Sequence, residues 1–151
     1  MPRGPKNDVS SPLDLLHRAG LRADSLFVRH LGRVQLTPRQ YAVLRSVAQA
    51  NGLSQTDIML ATGIDRSSTA ELVRRLVSHG ALVRRRTKRD ARVYAVRLTP
   101  KGRELLIVGE PAARAADEVL LSLVPAALRS AFLEALRLVA RPDPRRKTED
   151  E

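Results

Sequence analysis

The sequence predicts an α+β fold that is mostly helical, and three patterns carry this prediction. A capped segment, a glycine-containing turn and a second capped segment follow one another in the middle of the chain. Two short alternating segments then flank a run of arginines, and apolar residues at helical spacing lie on both sides of this region. Helix, turn, helix and hairpin in this order are typical of a winged helix-turn-helix, preceded and followed by additional helices.

Three of the helices are predicted from the same motif, a capping hydroxyl followed by proline at the first helical position. These pairs are Ser11-Pro12, Thr37-Pro38 and Thr99-Pro100. Helices are therefore expected over residues 12–31, 38–51 and 100–123, and apolar content predicts a further helix over residues 125–140. The first carries a predicted apolar stripe of Leu16, Ala23, Phe27 and Leu31.

The helix-turn-helix is predicted from two caps and one glycine. Ser54, with Asp57 three residues later, begins the first helix, and Gly63 supplies the turn. Asp65 caps a second helix that runs to His79, and a glycine follows it. In this second helix an apolar set is expected to face the core: Leu72, Val73 and Leu76.

The second helix and the wing hold the candidate DNA contacts. If the helix enters a major groove, its polar residues contact bases and phosphates; these are Arg66, Ser67, Ser68, Thr69 and Arg74. The wing strands are expected at 82–83 and 93–98. Between them lie further candidates, Arg86, Lys88, Arg89, Asp90 and Arg92. The alternatives are an ordinary surface helix and, for Lys88 and Arg89, a solvated charge run.

The composition limits the kinds of partner that the chain is expected to bind. The 151 residues are 43% hydrophobic, enough for one core, and carry a net charge of +11, which favours a polyanion. Membrane surfaces compete, but no apolar run reaches about 18 residues and no signal-peptide core follows Met1, so a cytoplasmic location is expected. Cysteine is absent, which excludes disulfides and thiolate zinc sites.

No enzymatic constellation is found in the sequence. Ser68 and His79 share a helix face but lie about 16 Å apart along its axis, too far for a nucleophile and its base. His17 and His30 point to different sides of the first helix and form a poor metal pair. The chain is therefore expected not to be an enzyme and to need no cofactor or metal, although a site shared between two chains is left open.

Several motifs resemble the MarR family of bacterial transcription regulators. An Asp-x-Arg at 90–92 and a Val-x-Leu-Thr-x-x-Gly at 96–102 look like the wing signature of that family, and segments 36–44 and 72–76 match as well. The resemblance implies that Arg92 reaches the minor groove, positioned by Asp90. Two departures are Glu71, where many relatives have a basic or polar residue, and Pro111, which predicts a kink in a helix that is usually continuous.

The terminal helices are more apolar than a small winged module can cover. They are expected either to pair with a second copy or to fold back within one chain, and the resemblance favours a two-fold homodimer. The expected organisation is dimerisation helices at 11–35 and 99–140, a winged helix-turn-helix lobe at 36–98, and mobile tails at 1–10 and 141–151.

The resemblance also implies an effector site between the dimerisation helices and the lobe. Arg18 and Arg22 on the first helix could pair with an organic anion and Tyr41 could line the same cleft; the alternative is two solvated arginines and a core tyrosine. The expected function is a regulator that binds a pseudo-palindromic operator, represses, and is released by a small organic anion such as an aromatic acid or its thioester. An architectural nucleic-acid protein and a small helical enzyme are the alternatives.

Overall fold

A computed structural model describes residues 10–50, 52–87 and 94–142 of the chain. It confirms the mostly helical α+β fold with a two-stranded sheet. The elements in chain order are α1 (Pro12–Leu31), α2 (Pro38–Ala48), α3 (Gln55–Thr62), α4 (Arg66–Ser78), β1 (Leu82–Arg86), β2 (Tyr94–Leu98), α5 (Pro100–Ser122), a 3-10 turn (Ala126–Leu128) and α6 (Arg129–Val139).

The helices begin where the capping residues predict. Ser11, Thr37 and Ser54 each form a reciprocal capping box, in which the hydroxyl accepts the amide of the third helical residue and that residue's side chain accepts the cap amide. Asp65 and Thr99 cap α4 and α5 with single side-chain bonds. Local hydrogen bonding therefore sets each of these starts before any tertiary contact is considered.

The helix ends differ from prediction at two places. The second helix stops at Ala48 instead of residue 51, because the Gln49 and Ala50 amides bond three residues back and Gly52 then takes a φ of 107°. The last helix starts at Arg129 instead of residue 125, after a 3-10 turn that has no side-chain cap among its described residues. The α5 helix continues through Pro111 as one element.

The lobe has its own core. Its innermost residues come from α2, α3, α4 and both strands, and each is almost completely buried: Val43, Leu44, Ile58, Val73, Leu76, Leu82 and Val96. The strands pair antiparallel with Leu82 opposite Leu98, and Leu53 forms a bridge to Val96 that ties the chain before α3 to the sheet. Of the predicted α4 core residues, Val73 and Leu76 are buried and Leu72 packs against them.

The terminal helices are only partly covered. Helix α1 packs along α5 and buries Leu26, Phe27 and Leu31, but Leu16, which the predicted stripe included, is exposed. None of the residues of α6, all of which the structure describes, is buried. Within the described ranges no single helix is long and apolar enough to cross a membrane, and one bent pair meets that criterion by length and composition alone, α5 with the segment 126–139, at 109°.

A compact joint connects the lobe to α5. The Thr99 hydroxyl lies 2.6 Å from the Gly80 carbonyl oxygen and 3.0 Å from that of Ala81, and it accepts the Gly102 amide at 3.1 Å. A Cβ on Gly102 would lie 2.1 Å from the Ala81 carbonyl oxygen. The Thr-x-x-Gly part of the wing motif therefore serves backbone packing, because only glycine allows α5 to begin so close to the turn after α4.

Candidate nucleic-acid interface

The turn before α4 is built from short-range bonds. Gly63 takes a φ of 72° and donates its amide to the Met59 carbonyl at 2.9 Å, which ends α3. Asp65 then accepts the Ser68 amide at 2.9 Å and the Ser67 hydroxyl at 2.8 Å. These bonds lower the pKa of the Asp65 carboxyl far below its usual range, and the bond from the Ser68 backbone amide has the largest effect. The cap is therefore a stable anion at the start of α4.

One predicted contact on α4 proves to be structural. Thr69 is only 1% exposed, and its hydroxyl donates to the Ile64 carbonyl oxygen at 3.3 Å. It shares the buried face with Val73 and Leu76, so its side chain cannot contact a base. The prediction that Thr69 contacts DNA is therefore wrong, because a small polar residue in a helix can equally satisfy a backbone carbonyl in the core.

The opposite face of α4 is polar and exposed. With 100° per residue, Ser67, Glu71 and Ser78 lie within about 30° of the direction away from the buried residues. Arg74 lies about 45° to one side and Arg75 about 55° to the other. The predicted residues Arg66, Ser67 and Arg74 are exposed, and Ser68 is half-buried. A face of this width and polarity matches a helix that enters a major groove.

Glu71 joins the two arginines. Its carboxylate accepts bonds from Arg74 Nε at 3.0 Å and Nη2 at 2.6 and 2.7 Å, and from Arg75 Nε at 2.6 Å. These bonds, led by the one from Arg74, lower the pKa of Glu71. In the sequence, Glu71 is noticeable only as a departure from the pattern of the family. The i,i+3 and i,i+4 spacing of acid and arginines was the signal that could have shown the cluster.

The wing strands carry arginines toward the same side of the fold as α3. Arg84 donates to the Gln55 side chain at 3.2 Å. Arg86, a predicted contact, donates from Nε to the Tyr94 hydroxyl at 3.3 Å, and its guanidinium carbon lies 5.8 Å from the Tyr94 ring centroid. The cross-strand pair Arg86 and Tyr94 therefore closes the described part of the hairpin. The other wing candidates, Lys88, Arg89, Asp90 and Arg92, lie outside the described residues.

The structure does not bring together the three effector candidates. Tyr41 is 8% exposed, with its ring centroid 5.1 Å from that of Phe27 and its edge against Gly109, and burial raises its pKa. Arg18 lines a separate hollow near the start of α1, and Arg22 is exposed on the same helix. Within one chain Arg18 and Arg22 precede Phe27, the α1 residue that contacts Tyr41, by nine and five residues, and neither lines the cleft that contains Tyr41. The effector grouping therefore stays a prediction.

Among the described residues, two of the clefts between the lobe and the long helices each contain a pair of arginines. The first, of about 310 Å³, contains Tyr41 with two arginines and two carboxylates: Arg45, Arg114, Glu110 and Asp117. The second, of about 540 Å³, lies between the end of α2, β2 and α5. Its cations are Arg97 and Arg103, and its apolar lining includes Leu98, Leu106 and Ile107. Its lining residues, all within the described ranges, include no carboxylate.

Gly52 shapes the second cleft. A Cβ there would lie 3.2 Å from the Ala95 Cβ and 3.3 Å from Arg97 Nε, so the Arg97 side chain lies directly over the glycine. Among the described residues no three His, Cys, Asp or Glu side chains form a group that could hold a metal ion. The clefts therefore offer charge and apolar surface, the features that hold an organic anion.

The fold, the exposed polar face of α4 and the adjoining hairpin define a winged helix-turn-helix DNA-binding protein. The MarR family model matches residues 34–93, which include α2, α3, α4 and β1. A putative transcriptional regulatory protein for the hcr operon of Thauera aromatica is 30% identical over 129 residues, covering 85% of this chain and 78% of that protein. The chain belongs to the MarR family of transcriptional regulators.

Solved structures agree with this assignment. The chain is similar to the repressor CouR bound to a 23-mer DNA duplex, with a TM-score of 0.75, 32% identity and coverage of 87% of this chain and 93% of that one. It is also similar to BpsR of Bordetella bronchiseptica, whose DNA binding is regulated by 6-hydroxynicotinic acid. The TM-score there is 0.79, with 27% identity and coverage of 91% and 98%.

Proposed function

We propose that this protein is a homodimeric repressor that binds a pseudo-palindromic operator through α4 and the wing. The observation that carries the proposal is the two-sided character of α4. One side of the helix carries the buried residues Thr69, Val73 and Leu76. The other side presents serines and arginines to solvent, and Asp65 caps the start of the helix. CouR, which has the same fold, has been solved bound to a DNA duplex. In a two-fold dimer the two α4 helices would lie about 34 Å apart, one turn of DNA.

The dimer is supported by apolar surface that one chain leaves uncovered. In α6, Phe132, Leu136 and Val139 share one face and remain exposed. Large apolar residues are also exposed on α1 and α5, including Leu21 and Ile107. Isolated exposed residues are common, but a contiguous apolar face such as that of α6 is typical of an interface. A second copy of the chain would cover all three helices symmetrically.

The test of DNA recognition uses a duplex that the wild-type protein selects from a randomised library, together with a scrambled version. Arg92→Ala should cost about 1–3 kcal/mol on the selected duplex and relax its A·T preference, because the resemblance assigns this residue to the minor groove. Lys88→Ala should weaken binding to both duplexes alike, because a phosphate contact carries no sequence information. Equal losses for both variants on both duplexes would contradict these roles.

The same titration separates a regulator from an architectural protein. A regulator should bind the selected duplex about 10³-fold or more tightly than the scrambled one at fixed salt. A ratio near one would identify a non-specific nucleic-acid protein and would end the operator proposal. The net charge of +11 alone is compatible with either outcome, so the ratio is the deciding quantity.

For the effector, the cleft with Arg97 and Arg103 is favoured over the cleft with Tyr41. The cleft with Arg97 and Arg103 presents two cations without a carboxylate, whereas the two arginines of the Tyr41 cleft are balanced by two acids. The cleft with Arg97 and Arg103 is lined by both β2 and α5, so a ligand there would change the angle between the lobe and the long helices. Regulation of BpsR by 6-hydroxynicotinic acid supports a small aromatic anion as the ligand class. To lower operator affinity about 10²-fold, the ligand must favour the dimer geometry that does not fit DNA by about 2.7 kcal/mol over the geometry that does.

Aromatic carboxylates and their thioesters, screened by thermal shift and by release of the selected duplex, test this site. Arg97 lies in the wing strand β2, so its substitution can change DNA affinity directly. The affinity of each variant for the duplex with ligand is therefore compared with the affinity of the same variant without ligand. Arg97→Gln combined with Arg103→Gln should abolish release, and Arg18→Ala with Arg22→Ala and Tyr41→Ala should preserve it. The reverse result would place the ligand at the originally predicted residues.

A further inference from the structure

The centre of the outward face of α4 is acidic in a strongly basic chain. Glu71 lies nearly opposite the buried residues, with Arg74 and Arg75 on its two sides. Its side chain is 41% exposed and those of the arginines are 65% and 61% exposed, so the cluster faces solvent. In the docked helix described under the proposed function, this carboxylate would be among the first groups to enter the groove.

The bonds of the cluster fix one edge of the Arg74 guanidinium. Nε and Nη2 of Arg74 both donate to the Glu71 carboxylate, at distances between 2.6 and 3.0 Å. Nη1 of Arg74 takes no part in these bonds. An arginine N–H group held in this way can donate to the O6 or N7 acceptor of guanine. Arg74 is therefore oriented before it meets a base.

The Glu71 carboxylate also weakens non-specific binding of α4 to the DNA phosphates. A phosphate backbone attracts arginine without regard to sequence, but it repels Glu71 and gains less from an arginine already neutralised by a neighbour. Because exposed ion pairs contribute little to folding stability, the cluster is not explained by a need to hold α4 together. The lowered pKa of Glu71 keeps the charge in place at physiological pH.

We propose that Glu71 is a specificity-determining residue that holds Arg74 in position for a guanine and lowers the affinity of α4 for DNA that lacks one. The inference rests on the proposed operator binding. It differs from a direct contact, in which the carboxylate would accept a hydrogen bond from cytosine N4. The two roles predict different behaviour when Arg74 is changed, because positioning acts through Arg74 and a direct contact does not.

The experiment measures the affinities of Glu71→Gln for the selected duplex and its scrambled version over a range of salt concentrations. We expect tighter binding to the scrambled duplex, a steeper salt dependence, and a specificity ratio reduced about tenfold. Glu118→Gln, which removes the same charge from an exposed position on α5, is the matched control and should leave the ratio unchanged. Thermal unfolding of each variant confirms that the fold is retained.

An Arg74→Lys background supplies the decisive comparison. Lysine keeps the charge but cannot present a planar pair of donors, so Glu71→Gln should have no further effect on the ratio there. The proposal is overturned if Glu71→Gln leaves the ratio intact in the otherwise wild-type protein. It is also overturned if the same loss occurs in both backgrounds, which would indicate direct contact with a base. A wild-type ratio near one would instead remove the operator proposal, and this inference with it.

Discussion

The winged lobe and the terminal helices bury their apolar residues in different ways. In the lobe, Val43, Leu44 and Ile58 have no measurable exposure within a single chain. In α6, by contrast, Phe132 and Leu136 remain 38% and 37% exposed although their helix is strongly amphipathic. The lobe therefore buries its own hydrophobic residues, whereas α6 leaves its apolar face uncovered within one chain, as the proposed dimer requires.

The same contrast appears in the polar groups. In the lobe, the helices start at capped residues, and α4 has an anionic cap at Asp65. Helix α6 begins after a 3-10 turn with no side-chain cap among the described residues, and only Arg129 bonds back to the Val124 carbonyl. The contrast is confined to α6, because α1 and α5 are capped by Ser11 and Thr99 in the same way as the lobe helices. Helix α6 therefore depends more on packing than the others.

The largest effect should come from the joint between the two regions. Gly102→Ala places a methyl group 2.1 Å from a backbone oxygen, so α5 or the turn after α4 must move. We expect a loss of about 3 kcal/mol in the free energy of unfolding, measured by urea denaturation at fixed protein concentration. Gly20→Ala in α1 has open space around it and should instead stabilise by about 0.5–1 kcal/mol. Similar values for the two variants would show that the joint does not connect the regions as tightly as described.

A charge on the apolar face of α6 should disrupt the dimer without changing the lobe itself. Leu136→Glu should raise the dimer dissociation constant about 100-fold, equivalent to about 2.7 kcal/mol, because a carboxylate would be buried without a partner. Sedimentation measures the assembly, and operator affinity should fall with it. Ser130→Glu, on the opposite face of α6, is the control and should leave the dimer intact. A wild-type monomer that binds the full operator tightly would rule out the proposed architecture.

The cap of α4 should give a smaller effect that depends on pH. Asp65→Ala should lower the melting temperature by about 2–4 °C at neutral pH, because two bonds at the helix start are lost. Since the folded pKa of Asp65 is lowered, its contribution is complete above the ordinary value of 3.8 and is lost as the pH falls below it. The difference between wild type and variant should therefore shrink in acid. A constant difference down to low pH would show that the charge of the cap is unimportant.

The smallest effect is expected from oxidants. The chain has no cysteine and two methionines, of which Met59 is buried in the lobe. Mild peroxide should therefore change operator affinity by less than about twofold, measured by titration before and after treatment. A Met59→Leu variant serves as the control. Release of DNA by peroxide alone from the wild-type protein, but not from this variant, would show that the lobe core opens and that signalling does not require a ligand.

The local signals in the sequence were sufficient for the order of the elements and for the starts of α1 to α5, but not for the start of α6. A capping hydroxyl or carboxylate and a following proline act within one turn, so Ser11, Thr37, Ser54 and Thr99 mark helices wherever the helices pack. The same holds for Gly63, whose positive φ is a property of the turn itself. The wing motif was also recognisable, although its physical reason, the contact between Gly102 and Ala81, joins two separate elements.

Only the tertiary structure decided which side chains share a site. Helical periodicity puts Thr69 on one face with Val73, but packing against α2 and α3 determines that this face is the buried one. Arg18 and Tyr41 could be placed on suitable helices from the sequence, yet their separation depends on how α1 crosses α5. The cleft with Arg97 and Arg103 likewise combines α2, β2 and α5, whose contacts are long-range. Caps and turns are fixed by neighbours along the chain, whereas burial, charge pairing and cavities depend on the docking of whole elements.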